Sequence, residues 1–141
     1  MSIPSPVPHR FLIASDFHLT SGVDAVTFQW SSTEDFFWDD EFAEFLSHYT
    51  DTIPTTLIFN GDLMDFMQVI DIPTPDESAE FGISQKEINR RYGLRCTEQA
   101  AEFQVAKVIQ GHYRLFEALA AFIGHGNKVV ILSGNHDIQL Y

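Results

Sequence analysis

Apolar residues along the chain fall into short continuous runs and longer amphipathic stretches, and this rhythm predicts the elements. Arg10 to Ser15 (RFLIAS) is apolar in its middle and polar at its ends, the pattern of a short buried strand. Thr55 to Asn60 (TTLIFN), preceded by Pro54 and closed by Gly61, and Lys128 to Leu132 (KVVIL) repeat it. Between the first two strands, Trp38, Phe42, Phe45, Leu46 and Tyr49 recur at helical spacing, with Ser32 or Thr33 as the expected cap. Between the second and third, Val105, Ile109, His112, Phe116, Leu119 and Ile123 hold one helical face, predicting a single long helix from Thr97 to Ile123 that stops at Gly124 and Gly126. Asp71 to Ser78 (DIPTPDES) mixes prolines and acids and predicts a loop. It opens a lid-like insertion around residues 71–96 that includes Ser84 to Arg91.

Strand, helix, strand, helices, strand is an α/β order, and it predicts a mainly parallel sheet flanked by helices. One domain, or part of one, over residues 10–141 follows a flexible, proline-bearing leader, residues 1–9. In such sheets ligands collect outside the carboxyl ends of the strands.

Composition narrows the function classes. A formal net charge of −12 disfavours general nucleic-acid binding, because a polyanion is repelled at long range. No apolar run is long enough for a membrane span. The one cysteine, Cys96, and an N-terminus without a secretory apolar run predict a cytoplasmic protein. Arg90, Arg91 and Arg95 cluster in the insertion; ion pairing with Glu87 or Glu98 is preferred over contact with a substrate phosphate.

Each predicted strand ends in residues able to hold a metal: Asp16-Phe17-His18, then Gly61-Asp62-Leu63-Met64-Asp65, then Gly134-Asn135-His136-Asp137. Parallel strands would carry all three clusters to one rim. Alternation lets Asp16 and His18 face one ion while Phe17 turns inward. Asp62 offers two oxygens, enough to bridge a pair of ions, and Asn135 adds a neutral carbonyl oxygen. A mixed Asp, His and Asn set suits Mn²⁺, Fe or Zn²⁺, and the lack of paired cysteines argues against structural zinc.

In this order, D-x-H, GDxxD and GNHD resemble the first three blocks of the calcineurin-like metallophosphoesterase family. The resemblance implies two divalent transition metals, with Asp16 and His18 on the first, Asp62 bridging both and Asn135 on the second. It further implies that His136 donates a hydrogen bond or proton toward the phosphoryl oxygen or leaving group, oriented by Asp65. The implied activity is hydrolysis of phosphate esters, as a phosphatase or phosphodiesterase acting on a small molecule or nucleotide. Phe66-Met67 after GDxxD differs from the Arg-Gly typical of protein phosphatases in the family. Ser15-Asp16-Phe17-His18-Leu19 is similar to the first block of lipid-A-pathway pyrophosphohydrolases, but His136 stands where those carry Arg.

The family's later isolated His and GHxH blocks have no counterpart after Asp137. His9, His48, His112 and His125 are expected to be surface or packing residues. The 141 residues are therefore expected to be part of a longer chain, inactive or weakly active alone, with self-association through an exposed sheet edge. The alternative is a natural short form that lost catalysis, a non-catalytic binding or regulatory module on a truncated or decayed phosphoesterase scaffold.

Overall fold

The structure, a computed structural model, describes residues 8–89 and 93–140. The leader through residue 7, and with it Pro4 and Pro6, lies outside the described residues, as do Arg90 and Arg91. Strands β1 (Arg10–Ala14), β2 (Thr55–Asn60) and β5 (Lys128–Leu132) form a three-stranded parallel sheet with β2 in the centre. Leu12, Leu57 and Val129 stand in register across it. The chain is thus a mixed α/β fold. Helix α1 (Asp39–His48) separates β1 from β2, and helices α2 (Pro75–Phe81), α3 (Glu98–Gly111) and α4 (Tyr113–Gly124) precede β5. A two-residue hairpin, β3 (Ile88–Asn89) with β4 (Gly93–Leu94), lies between α2 and α3.

The sheet's two faces differ. Leu57 and Phe59 of β2 are fully buried against Phe42 and Leu46 of α1 and Leu115, Leu119 and Phe122 of α4. The opposite face carries Phe11 and Ile13, 63% and 71% exposed, with Val130 and Leu132 also exposed. The helices flanking the sheet therefore cover one face, and the open apolar surface extends over a face as well as the edges. Among the described residues no helix is long and apolar enough to cross a membrane.

Three expected elements are corrected. The loop expected at Asp71–Ser78 turns helical at Pro75, because Thr74 and Glu77 form a reciprocal capping box and Pro75 takes the first helical position. The single long helix is two: His112 ends α3 by donating its N–H to Val108 and starts α4 by accepting from Phe116 N. The break has a cause. Gly111 and Gly22 touch backbone to backbone, a Cβ on Gly111 would run into the Ser21 carbonyl, and Val23 N–H takes the Gly111 carbonyl at 3.1 Å. Finally, α1 starts at Asp39 behind Trp38, with no side-chain cap from Ser32 or Thr33. Thr33 Oγ1 instead donates to the Gln68 carbonyl at 2.7 Å, and Glu34 holds the amides of Asp35 and Phe36, so residues 33–36 are committed before the helix begins.

Candidate metal centre

The three strand ends are stitched into one rim by backbone hydrogen bonds. Asp16 N donates to Gly61 O at 3.3 Å, His18 N to Asp62 O at 3.0 Å and Leu19 N to Leu63 O at 3.0 Å, while Asp65 N returns to Leu19 O at 2.9 Å. These contacts carry the pairing of β1 and β2 past the ends of the strands. Phe17 turns to the other side and packs on the core, stacked on Phe36 and edge-on to Phe42 and Phe59.

The loop after β5 closes on the same residues. His136 N donates to Asp62 Oδ1 at 3.0 Å. Asp137, fully buried, accepts from Leu63 N at 2.8 Å and from Gly134 N at 2.5 Å, one carboxylate tying the two loops together. Gly134 lies so close to Asp62 that any Cβ would collide with its carboxylate. Asn135, exposed, sits between Gly134 and His136 on this loop and so at the same rim.

Two overlapping donor sets result. Asp16, His18 and Asp62 each bring one ligand atom within 4.8 Å of the others, and so do His18, Asp65 and His136. His136 Nδ1 lies 2.9 Å from Asp65 Oδ2, and His18 Nδ1 lies 3.7 Å from the same oxygen. The two imidazoles meet edge to face at 4.7 Å. Asp65 is held by its other oxygen, which accepts from Met67 N and Gln68 N.

The backbone adds an independent mark. Among the described residues, four non-glycine residues have positive φ: Asp16 at 58°, His18 at 51°, Asp62 at 53° and Phe28 at 56°. Left-handed backbone at such residues costs about 1–3 kcal/mol each and concentrates at functional sites. Three of the four are the first donor set.

No protein-family model, no curated protein and no solved structure matches this chain.

The remaining histidines stay away from the rim. His9 contacts Thr56 Oγ1 at the opposite end of the sheet, His125 bonds the Ala121 carbonyl at the end of α4, and His48 packs on Tyr49. His112 is different. It is fully buried, with Nε2 3.0 Å from Glu34 Oε2 and Nδ1 2.9 Å from Asp39 Oδ1. Burial works against its charged form, but hydrogen bonds and charge from Asp39 and Glu34 outweigh that and raise its pKa to about 9. Burial likewise pushes the Glu34 carboxyl up, yet hydrogen bonds from His112, Thr20 and Phe36 N hold it at about 2. Glu34 Oε2 also accepts from Thr20 N, Thr20 Oγ1 and Gly22 N. It thereby fixes the segment that follows His18.

Proposed function

We propose that this chain carries part of the active site of a metal-dependent phosphate-ester hydrolase of the calcineurin-like metallophosphoesterase type. The observation that carries this proposal is the convergence of Asp16, His18 and Asp62, all in left-handed backbone, at the carboxyl rim of a parallel sheet. Two carboxylates and an imidazole fit a divalent transition ion such as Mn²⁺, Fe or Zn²⁺. Asp16, His18 and Asp62 would hold the first ion, and Asp62 with Asn135 a second. Bound there, such ions neutralise phosphoryl charge and make a hydroxide available near neutral pH.

The chain's own residues then divide the work. Asp62 is oriented by the His136 amide, which donates to Oδ1. His136, 31% exposed, would donate toward a phosphoryl or leaving-group oxygen. Asp65, buried and anchored by two amides, stands behind it. The substrate would be a small-molecule or nucleotide phosphate ester. A single exposed cysteine, Cys96, fits a reducing cytoplasmic setting.

The test is turnover of an aryl phosphate monoester and a diester with added Mn²⁺. Wild-type protein is expected to give slow, metal-dependent hydrolysis, Asp62→Asn to fall to the metal-free background, and His136→Ala to lose about 10²–10⁴-fold. Metal-independent turnover, or turnover by Asp62→Asn equal to that of the wild type, sinks the proposal. A second reading, metal binding without catalysis, is favoured by one observation: among the described residues no further histidine reaches the rim to complete a two-ion cage.

A further inference from the structure

Glu34 belongs to neither donor set, yet it grips the chain on both sides of His18. We infer that Glu34, supported by His112, is a positioning residue for the proposed metal centre: one buried carboxylate fixes the left-handed turn that aims His18 at the ion it shares with Asp16 and Asp62. The inference rests on the proposal that the rim is a metal centre, and it keeps that proposal's ligands.

Three observations carry it. First, His18 stands in left-handed backbone at φ 51°, and such a conformation persists at a non-glycine residue only where the surroundings over-determine it. Bonds from His18 N to Asp62 O and from Leu19 N to Leu63 O tie the turn to the loop after β2. Glu34 ties it from a different segment.

Second, the two oxygens of Glu34 serve opposite flanks of His18. Oε2 accepts from Thr20 N at 3.0 Å, Thr20 Oγ1 at 2.5 Å and Gly22 N at 3.0 Å, which pins the residues that follow His18. Oε1 accepts from Asp35 N at 3.1 Å and Phe36 N at 2.9 Å, and the Phe36 ring stacks at 4.7 Å on Phe17, the residue before His18. Thr20 is buried and the Glu34 side chain has no exposure, so water does not replace these bonds when they are lost.

Third, the carboxylate is itself held. His112 donates from Nε2 to Glu34 Oε2 at 3.0 Å and from Nδ1 to Asp39 Oδ1 at 2.9 Å, which joins the turn at His18 to the start of α1 and the junction of α3 and α4. Six donors converge on Glu34, and an ionised carboxylate accepts at both oxygens while donating from neither. Glutamine keeps the length but turns an NH₂ group toward donors. One flank of His18 is then released whichever way the amide is turned. Asp16 and Asp62 keep their own bonds, to Gly61 O and from His136 N, so the loss falls on His18.

Titration with Zn²⁺, followed through long-range ¹H–¹⁵N spectra of the histidine rings, reads affinity at His18 directly. In the wild type the metal is expected to shift the His18 ring nitrogens. Glu34→Gln is expected to weaken that binding about 10–100-fold, the usual cost of removing a partner that orients a ligand. Leu119→Ala lowers stability through the core on α4 and touches none of these bonds, so it is expected to leave the affinity within about threefold. Circular dichroism establishes that each variant is folded during the titration. Thr20→Val removes the hydroxyl donor alone and is expected to weaken binding in the same direction. It decides the matter if Glu34→Gln does not fold.

Unchanged affinity in Glu34→Gln, or in Thr20→Val where that variant decides, overturns the inference and leaves the metal centre standing. Equal weakening by Leu119→Ala does the same, because any loss of stability would then suffice. Selective weakening by Glu34→Gln in a protein whose ester turnover is metal-independent upholds the inference and removes the proposed hydrolase. If Zn²⁺ shifts no His18 ring nitrogen in the wild type, the metal centre and the inference fall together.

Discussion

Among the described residues outside the rim, Glu34 has the most heavily hydrogen-bonded side chain. Both it and His112 have side chains with no solvent exposure, and its carboxylate accepts from four backbone amides, one hydroxyl and one imidazole. For such a buried pair, removing one partner costs roughly 3–5 kcal/mol because the other is left uncompensated. The pH dependence follows from the two shifts. His112 is raised from 6.5 to about 9, so its stabilisation is complete below 6.5 and is lost as pH rises through 9. Glu34 is lowered from 4.5 to about 2, so its share is complete above 4.5 and is lost as pH falls through 2. Urea unfolding from pH 3 to 10 should therefore show the wild type exceeding Glu34→Gln most between pH 4.5 and 6.5, with the gap closing toward either extreme. A gap independent of pH would remove the ionic account. Nothing local in the sequence announced this pair, since its members are 78 positions apart and each sits in an unremarkable context. His112, expected as a surface or packing residue, is buried as a packing residue would be, but it is also charged. The rim residues were legible because each belongs to a short motif at a strand end.

At the scale of elements, the three strands of the parallel sheet were readable from continuous apolar runs and lie where those runs predict, to within a residue, whereas the short β3–β4 hairpin has no such run. Helix ends were less so, because propensity and tertiary contact disagree. Gly111 sits at the end of α3, where replacing Gly with Ala ordinarily stabilises a helix by about 1 kcal/mol. Here a Cβ has no room, because the Ser21 carbonyl and Gly22 occupy the space. Gly111→Ala is accordingly expected to lower stability by roughly 1–3 kcal/mol, the usual result of overpacking. Denaturant midpoints decide the sign, and a stabilised variant would show that the loop carrying Ser21 and Gly22 moves aside at little cost. The same contact explains why a face running unbroken from Val105 to Ile123 in sequence became two helices: periodicity reports the apolar stripe, whereas the break depends on a loop some ninety residues earlier.

For the whole molecule, the apolar runs of β1 and β5 say that both faces of these strands favour burial, and a run of apolar residues cannot say what supplies the cover. The helices bury Leu57 and Phe59 and leave Phe11, Ile13, Val130 and Leu132 exposed. That asymmetry has a measurable consequence for where the stability resides. Leu57, with no exposure and packed between α1 and α4, should cost about 2–5 kcal/mol when cut to Ala, since atoms are lost from a filled core. Ile13 stands in the adjacent strand, one position on from Leu57's partner Leu12, but on the open face. Ile13→Ser should change stability by no more than about 0.5 kcal/mol, as for ordinary surface positions. The pair should separate in a second measurement as well. Contiguous exposed apolar surface binds hydrophobic dyes, so Ile13→Ser is expected to lower dye fluorescence of the folded protein. Equal destabilisation by the two substitutions would mean that Ile13 is covered in solution, and the open face would then be an interface rather than a surface.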